Sequence, residues 1–216
     1  MENLNKYIEH TLLKQDAQRA DLIKLFEEAV QYKFLGVCIN PCYVKLAKEY
    51  LKESEVKIVT VIGFPLGANT TETKIFETIN AIKDGADEID MVINVTRVKD
   101  RQTELIIDEI KGIKAACQGH NLKVIIETDL LSSDEIKYAC ECAVKGGANF
   151  VKTSTGFVKN GVGAKAEDVE LMLNTVKSAG LQVKASGGIR DKESAIKMIN
   201  AGAVRLGTSS GVKIVS

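Results

Sequence analysis

The sequence predicts an α/β protein, a single-domain (β/α)8 TIM barrel that spans residues 1–216. Short runs rich in β-branched residues alternate with longer segments of helical period, and eight such pairs can be counted if a weak first strand is included. Glycine–alanine pairs at 85–86, 147–148 and 202–203 each follow a helical segment and precede a strand, which is typical of chains that return to a parallel sheet. An open, doubly wound sheet would give similar alternation. It is less favoured because no glycine-rich phosphate fingerprint follows an early strand.

The predicted strands are short apolar runs, of which the first is the weakest. In chain order they lie at residues 7–11, 36–40, 56–62, 88–94, 122–128, 149–157, 182–186 and 203–207. No stretch between them has the composition of a linker, so the runs belong to one compact unit.

The helical segments between these strands carry recognisable start signals. Pro41 suits the first position of a helix, the polar run at 69–73 opens another, and Ser132 with Glu135 forms a capping-box pattern. Apolar residues recur at helical spacing in each segment. The predicted helices lie at about 17–32, 41–51, 69–83, 105–113, 132–144, 169–176 and 192–200.

Composition narrows the range of partners. Lys plus Arg and Asp plus Glu both number 29, so the formal net charge is zero and no global field favours nucleic acid or an anionic membrane. We therefore expect small-molecule partners. The amino terminus lacks the apolar core of a signal peptide, and the five cysteines fit reduced thiols, so we expect a cytoplasmic protein. Only two histidines occur, far apart in sequence, so we expect no histidine-based metal centre.

Three ionisable residues lie inside otherwise apolar strands. They are Asp90 on the fourth predicted strand, Lys152 on the sixth and Lys184 on the seventh. A charge in such a run is costly unless it is paired or neutralised. In a barrel the functional residues collect at the carboxyl ends of the strands, so we expect these three side chains to lie close together.

The two lysines lie on neighbouring strands and suggest an amine nucleophile. Two ammonium groups about 6 Å apart would repel each other by roughly 3 kcal/mol at an effective dielectric constant near 20, so one should be neutral. A neutral lysine beside a cationic one can form a Schiff base, and Asp90 could then move protons. Alternatives stay open: Lys152 could lie on a solvated edge strand or extend its head to water, and the three residues could form a structural ion network.

Glycine and serine follow the last two strands, at the place where barrels usually bind phosphate. Glycines allow close approach of the backbone, and a helix amino terminus there could bind an anion. Arg190 would add positive field. Such loops are also common as plain turns. The predicted phosphate-binding residues are Gly156, Gly187, Gly188, Gly207, Ser209 and Ser210.

Six short motifs together resemble those of deoxyribose-phosphate aldolases, over almost the whole chain. They are HTLL at 10–13, GFPLG at 63–67, EIDMVIN at 88–94, VKTSTGF at 151–157, KASGGIR at 184–190 and GTSS at 207–210. The resemblance implies a metal-independent class I aldolase on a TIM barrel that requires no cofactor. It aligns Lys152 with the Schiff-base lysine, Lys184 with the second lysine that perturbs it, and Asp90 with the acid/base carboxylate.

The reaction that the resemblance implies is reversible cleavage of 2-deoxy-D-ribose 5-phosphate to acetaldehyde and D-glyceraldehyde 3-phosphate. We also expect a homo-oligomer, a dimer. The pattern departs from the family at Glu9 and Gln15, where aspartate and proline are more usual, and the chain ends at Ser216 without the terminal tyrosine of some members. Two rival functions are another Schiff-base aldolase acting on a different sugar phosphate, and a non-catalytic protein that binds sugar phosphates.

Overall fold

A computed structural model describes residues 3–216 and has eight parallel strands that close into a barrel. Each strand pairs with its neighbours in chain order, and the first pairs with the last. The (β/α)8 prediction is therefore confirmed, including the weak first strand. The strands are β1 (Ile8–Leu12), β2 (Gly36–Ile39), β3 (Lys57–Ile62), β4 (Glu88–Val92), β5 (Asn121–Ile125), β6 (Phe150–Lys152), β7 (Gln182–Ser186) and β8 (Arg205–Thr208).

Helices connect the strands and cover the outside of the barrel. The α-helices are α1 (Arg19–Gln31), α2 (Val44–Tyr50), α3 (Thr71–Asp84), α4 (Val95–Lys99), α5 (Thr103–Ala116), α6 (Ser133–Lys145), α7 (Ala166–Val176), α8 (Lys192–Asn200) and α9 (Gly211–Val215). The predicted capping box at Ser132 and Glu135 is present at the start of α6. Pro41 opens a short 3-10 turn that leads into α2. Among residues 3–216, no helix combines the length and the apolar character needed to cross a membrane.

The glycine–alanine pairs end α3, α6 and α8 as the sequence predicts. Gly85, Gly147 and Gly202 have φ angles of 108°, 78° and 108°, in the left-handed region that glycine adopts without steric cost. In each case the following alanine donates its N–H back to a carbonyl of the last helical turn. The chain then enters the next parallel strand.

Three strands end two or more residues before their apolar runs predict. β5 ends at Ile125 rather than at residue 128, where a 3-10 turn begins. β4 ends at Val92 because Asn94 caps α4, accepting the N–H of Arg97 and so turning the chain into a helix that the sequence did not reveal. β6 ends at Lys152 rather than at residue 157. Beyond it, Thr153 exchanges hydrogen bonds with the backbone of Ser186 through its hydroxyl, and the chain leaves the sheet. Lys152 is therefore the last residue of its strand.

The main core lies between the barrel and the helices. On α1 the buried residues recur at helical spacing, and Phe26 is fully enclosed. Burying a side chain of this size contributes about 2–3 kcal/mol. The barrel interior differs from this apolar layer, because six of its buried side chains are charged: Glu9, Glu88, Asp90, Lys123, Lys152 and Lys184. This charged interior is the foundation of the candidate site.

Candidate active site

Strand register brings the predicted lysines side by side. Lys152 on β6 pairs directly with Lys184 on β7, so both side chains project from the same level of the barrel. Asp90 on β4 pairs in the same way with Lys123 on β5. All four side chains are at most 4% exposed. The barrel therefore assembles the three predicted catalytic residues and adds a third lysine.

Asp90 is the centre of this group. Its Oδ2 accepts hydrogen bonds from Lys152 Nζ at 2.8 Å and from Lys184 Nζ at 2.6 Å. Its Oδ1 accepts from Lys123 Nζ at 3.0 Å. One carboxylate thus ties together lysines from three consecutive strands, in distances typical of charge-assisted hydrogen bonds.

Two further carboxylates complete the charge balance below Asp90. Lys184 also donates to Glu9, and Lys123 lies 3.5 Å from a Glu9 oxygen. Lys123 is 2.5 Å from Glu88, whose other oxygen accepts from the half-exposed Lys57 at 3.0 Å. Three buried lysines therefore face three buried carboxylates, which makes burial of so many charges tolerable.

These contacts determine which groups stay ionised. Burial alone would lower the pKa of Lys184, but Asp90 and Glu9 outweigh it and raise that pKa above its ordinary value. Burial would likewise raise the pKa of Asp90, yet Lys123, Lys152 and Lys184 hold it well below its usual range. Lys184 therefore stays cationic.

The two predicted lysines do not face each other alone, because Asp90 contacts both and Glu9 contacts Lys184. Mutual repulsion, on which the prediction from sequence rested, is therefore not the main influence on Lys184. For Lys184, attraction to two carboxylates exceeds repulsion between lysines. A neutral amine at Lys152 stays a prediction.

A cavity of about 300 Å3 opens above Lys152. Five of the six residues predicted to bind phosphate line it. The sixth, Ser210, does not; its backbone N–H donates to the Thr208 hydroxyl at 2.9 Å and closes the turn after β8. Those five residues are Gly156, Gly187, Gly188, Gly207 and Ser209.

The charges around the cavity all have one sign. Lys14, Lys152 and Arg190 line it, and none of the lining residues in the described part of the chain is acidic. Its polar wall is otherwise made of serine, threonine and glycine, including Ser154 and Ser186. Such a lining suits a small anionic ligand that carries hydroxyl groups.

One wall of the cavity depends on contact between two glycine-containing turns. A Cβ on Gly163 would lie 2.3 Å from the Gly187 carbonyl carbon, and one on Gly188 would lie 2.4 Å from the Val162 carbonyl oxygen. Asp129 fixes the turn at residues 162–163 by accepting hydrogen bonds from the backbone N–H groups of Val162 and Gly163. Backbone, rather than side chains, therefore forms this wall.

A group of potential metal ligands lies in the same region but fits a metal ion poorly. Ligand atoms of Glu9, Cys38 and Asp90 lie within 4.8 Å of one another. The carboxylates are already engaged by Lys184 and Lys123, whose positive charges would oppose a bound cation. Burial also raises the pKa of the Cys38 thiol, whereas a thiol ligand must lose its proton.

Three members of the network were not predicted from the sequence: Lys123, Glu9 and Glu88, the last of which begins β4. Lys123 lies in the apolar run of β5 and carried the same signal as the other lysines, a charge within a buried strand. Glu9 was noted only as a departure from a family pattern, because β1 was too weak to show that it faces the interior. Its burial is complete in the barrel.

The buried carboxylates predict a specific loss of stability in acid. Burial opposes ionisation of Glu88, but Lys123, Lys57 and Asn121 lower its pKa from 4.5 to about 2. A carboxyl with a depressed folded-state pKa stabilises the fold above its unfolded pKa, and that stability is lost as pH falls through the folded value. Between pH 4.5 and pH 2, we expect the unfolding free energy of the wild type to fall by about 3 kcal/mol more than that of Glu88→Gln.

Urea titrations across this pH range would measure the effect. Glu141→Gln, at an exposed position on α6, is the matched control and should leave the pH dependence unchanged. The same slope in wild type and Glu88→Gln would contradict the assignment.

Comparison with known proteins agrees with this geometry. A family model described as the DeoC/LacD family of aldolases matches residues 5–216. A deoxyribose-phosphate aldolase from Finegoldia magna is 54% identical over 212 residues, covering 98% of each chain. One from Geobacillus sp. is 56% identical over 214 residues, covering 99% of this chain and 95% of its own. The tetrameric deoxyribose phosphate aldolase from Aeropyrum pernix superimposes with a TM-score of 0.90 at 34% identity, covering 98% of this chain and 89% of its own.

Proposed function

The chain belongs to the DeoC/LacD family of aldolases, and from that premise we propose that it reversibly cleaves 2-deoxy-D-ribose 5-phosphate to acetaldehyde and D-glyceraldehyde 3-phosphate. The observation that carries the proposal is the position of Lys152, at the end of β6 and in the wall of a cationic cavity. Its Nζ is bonded to Asp90, which also binds the cationic Lys184. An amine, a carboxylate and a second ammonium group are the parts that a Schiff-base aldolase needs.

The reaction begins with attack of the Lys152 amine on C1 of the open-chain aldehyde. Loss of water gives a protonated imine. Removal of the C3 hydroxyl proton then breaks the C2–C3 bond, and its electron pair flows into the imine to form an enamine. D-Glyceraldehyde 3-phosphate leaves, with its aldehyde formed from C3. Protonation of the enamine carbon and hydrolysis of the new imine release acetaldehyde and restore Lys152.

Asp90 and Lys184 supply the proton transfers in this proposal. Asp90 is ionised and accepts hydrogen bonds from both lysines, so it can receive a proton from the C3 hydroxyl directly or through water. Lys184 remains charged and can return a proton to the enamine. Lys152 and Lys184 both donate to Asp90 Oδ2, so a proton can pass among these three groups through one or two hydrogen bonds.

The phosphate would lie against the glycine turns after β6, β7 and β8. Gly156, Gly187, Gly188, Gly207 and Ser209 line the cavity there, with Lys14 and Arg190 supplying positive charge. Ser210 supports the turn through its bond to Thr208 rather than facing the ligand. Binding energy from this remote group orients C1 toward Lys152.

Borohydride trapping tests the proposal. The protein is incubated with acetaldehyde or 2-deoxyribose 5-phosphate, reduced, and mapped by peptide mass spectrometry, while glyceraldehyde 3-phosphate formation is followed separately. We expect a reduced adduct on Lys152 and turnover of the sugar phosphate. No adduct and no turnover, with retained sugar-phosphate binding, would instead support a binding protein. An adduct formed only with other carbonyl donors would support a different Schiff-base aldolase.

We also expect this enzyme to act in the cytoplasm as a homodimer. The support for assembly is an apolar pair on the outside of α3, where Phe76 and Ile79 are 66% and 43% exposed one turn apart. The related Aeropyrum pernix aldolase is described as tetrameric. Sedimentation velocity should give twice the chain mass of 23.5 kDa, and a single species of 23.5 kDa would contradict the dimer.

A further inference from the structure

We propose that Glu127 is a positioning residue for phosphate recognition: it fixes the backbone around Gly156 relative to the Lys152 side chain. The inference rests on the proposed function, since it assigns Glu127 a part in binding the phosphate of the same substrate. Glu127 lies just after β5, next to the strand that carries Lys152. Its side chain is 3% exposed and takes no part in the chemistry described above.

The backbone at Glu127 shifts the pairing of β5 with β6. Ile126 donates its N–H to the Lys152 carbonyl and Thr128 donates to the Thr153 carbonyl, both at 2.9 Å. Residues 126–128, which follow β5, therefore lie opposite only Lys152 and Thr153. Glu127 takes up the extra step in a left-handed conformation, with φ 60° and ψ 66°, which is uncommon for a residue other than glycine. Irregular steps of this kind often occur beside active sites, where they redirect a side chain.

The Glu127 carboxylate holds the chain that follows Lys152. One oxygen accepts the backbone N–H of Thr155 at 3.0 Å, and the other accepts the Thr155 hydroxyl. The Thr155 hydroxyl oxygen in turn accepts the N–H of Phe157 at 3.1 Å. Gly156, with a φ of 82°, is thereby fixed between two anchored residues.

This anchor is placed where substrate recognition needs it. Residues 154–157 line the cavity above Lys152, and Gly156 is one of its phosphate-side glycines. Burial raises the pKa of Glu127, so the fold keeps an acidic group in a place that disfavours its charge. Without this anchor, residues 154–157 could sample many conformations. The distance between the Lys152 amine and the proposed phosphate-binding turns would then vary.

The test compares substrates with and without phosphate. For Glu127→Ala we expect kcat/KM for 2-deoxyribose 5-phosphate to fall about 100-fold, mainly through KM, because a displacement near 1 Å can have that effect. For unphosphorylated 2-deoxyribose the fall should be only about threefold. Glu127→Gln keeps an acceptor for the Thr155 N–H and should lose about tenfold with the phosphorylated substrate.

Two further variants separate positioning from stability. Thr155→Val removes the hydroxyl and keeps the backbone N–H, so it should show the same loss of kcat/KM as Glu127→Gln. If Glu127→Ala does not fold, these two variants are compared with the wild type instead. Tyr138→Phe deletes a hydroxyl that bonds Thr103 at 2.8 Å on the outside of the barrel. It should lower the melting temperature without changing the preference for the phosphorylated substrate.

Equal losses with both substrates in the Glu127 variants would overturn the inference. Acetaldehyde trapping keeps that result distinct from failure of the proposed function. An adduct on Lys152 in wild type and variants, with an unchanged substrate preference, overturns the role of Glu127 alone. No adduct in wild type overturns the aldolase proposal, and the role of Glu127 falls with it.

Discussion

Replacement of Lys152 by methionine is expected to lower kcat for 2-deoxyribose 5-phosphate by at least about 10,000-fold, because the imine cannot form without the amine. Methionine keeps most of the length and apolar volume of the side chain. Asp90 retains hydrogen bonds from Lys184 and Lys123 after the change, so the fold should survive. Steady-state turnover and borohydride trapping with acetaldehyde would measure the loss, and the reduced adduct should disappear.

Lys159→Met is the matched control for this experiment. Lys159 is exposed in the loop that follows the same strand, so its loss should leave both turnover and the adduct unchanged. An adduct that forms at full yield in Lys152→Met would show that another amine is the nucleophile.

Most of the fold could be predicted from sequence because its signals are local. Alternation of apolar runs with helical periods, and glycines at helix ends, are read from a few neighbouring residues. The residues at which strands end were harder to predict. The run after Lys152 has the composition of a strand, yet β6 ends at that lysine because Thr153 and Ser186 bond across the top of the barrel. This contact joins residues 33 positions apart, and no local pattern contains it.

The site was predictable in outline but not in its electrostatics. Lys152, Lys184 and Asp90 each stood out as charges in apolar strands, and strand order placed them together. The ionisation of Asp90 depends on Lys123 and that of Lys184 on Glu9, and the contacts of Glu9 and Lys123 cross the barrel interior. Lys184 meets Glu9 across a separation of 175 residues because β1 closes against β8. Closure of the barrel thus keeps Lys184 charged, and an estimate made from the two lysines alone omits this contact with Glu9.

Lys184 gives the second large expected effect. We expect Lys184→Met to reduce kcat about 100- to 1000-fold, since a positioned proton donor of the enamine is lost. Because Asp90 and Glu9 raise the pKa of Lys184, the wild-type residue is protonated at rest throughout the neutral range. Its own titration therefore does not shape the neutral pH profile. Its positive charge, however, acts on Lys152 at every pH in that range.

Removal of that charge should change the pH profile in a defined direction. Lys152 would lose a cationic neighbour, while Asp90 would keep a hydrogen bond to Lys152 and fewer competing donors. Both changes favour the ammonium form of Lys152, so the acid limb of kcat/KM and the pH of half-maximal imine trapping should move to higher pH. Lys197→Met, an exposed change on α8, should leave the profile in place. An unmoved acid limb in Lys184→Met would mean that the neighbouring charge does not govern the Lys152 amine, even if turnover falls.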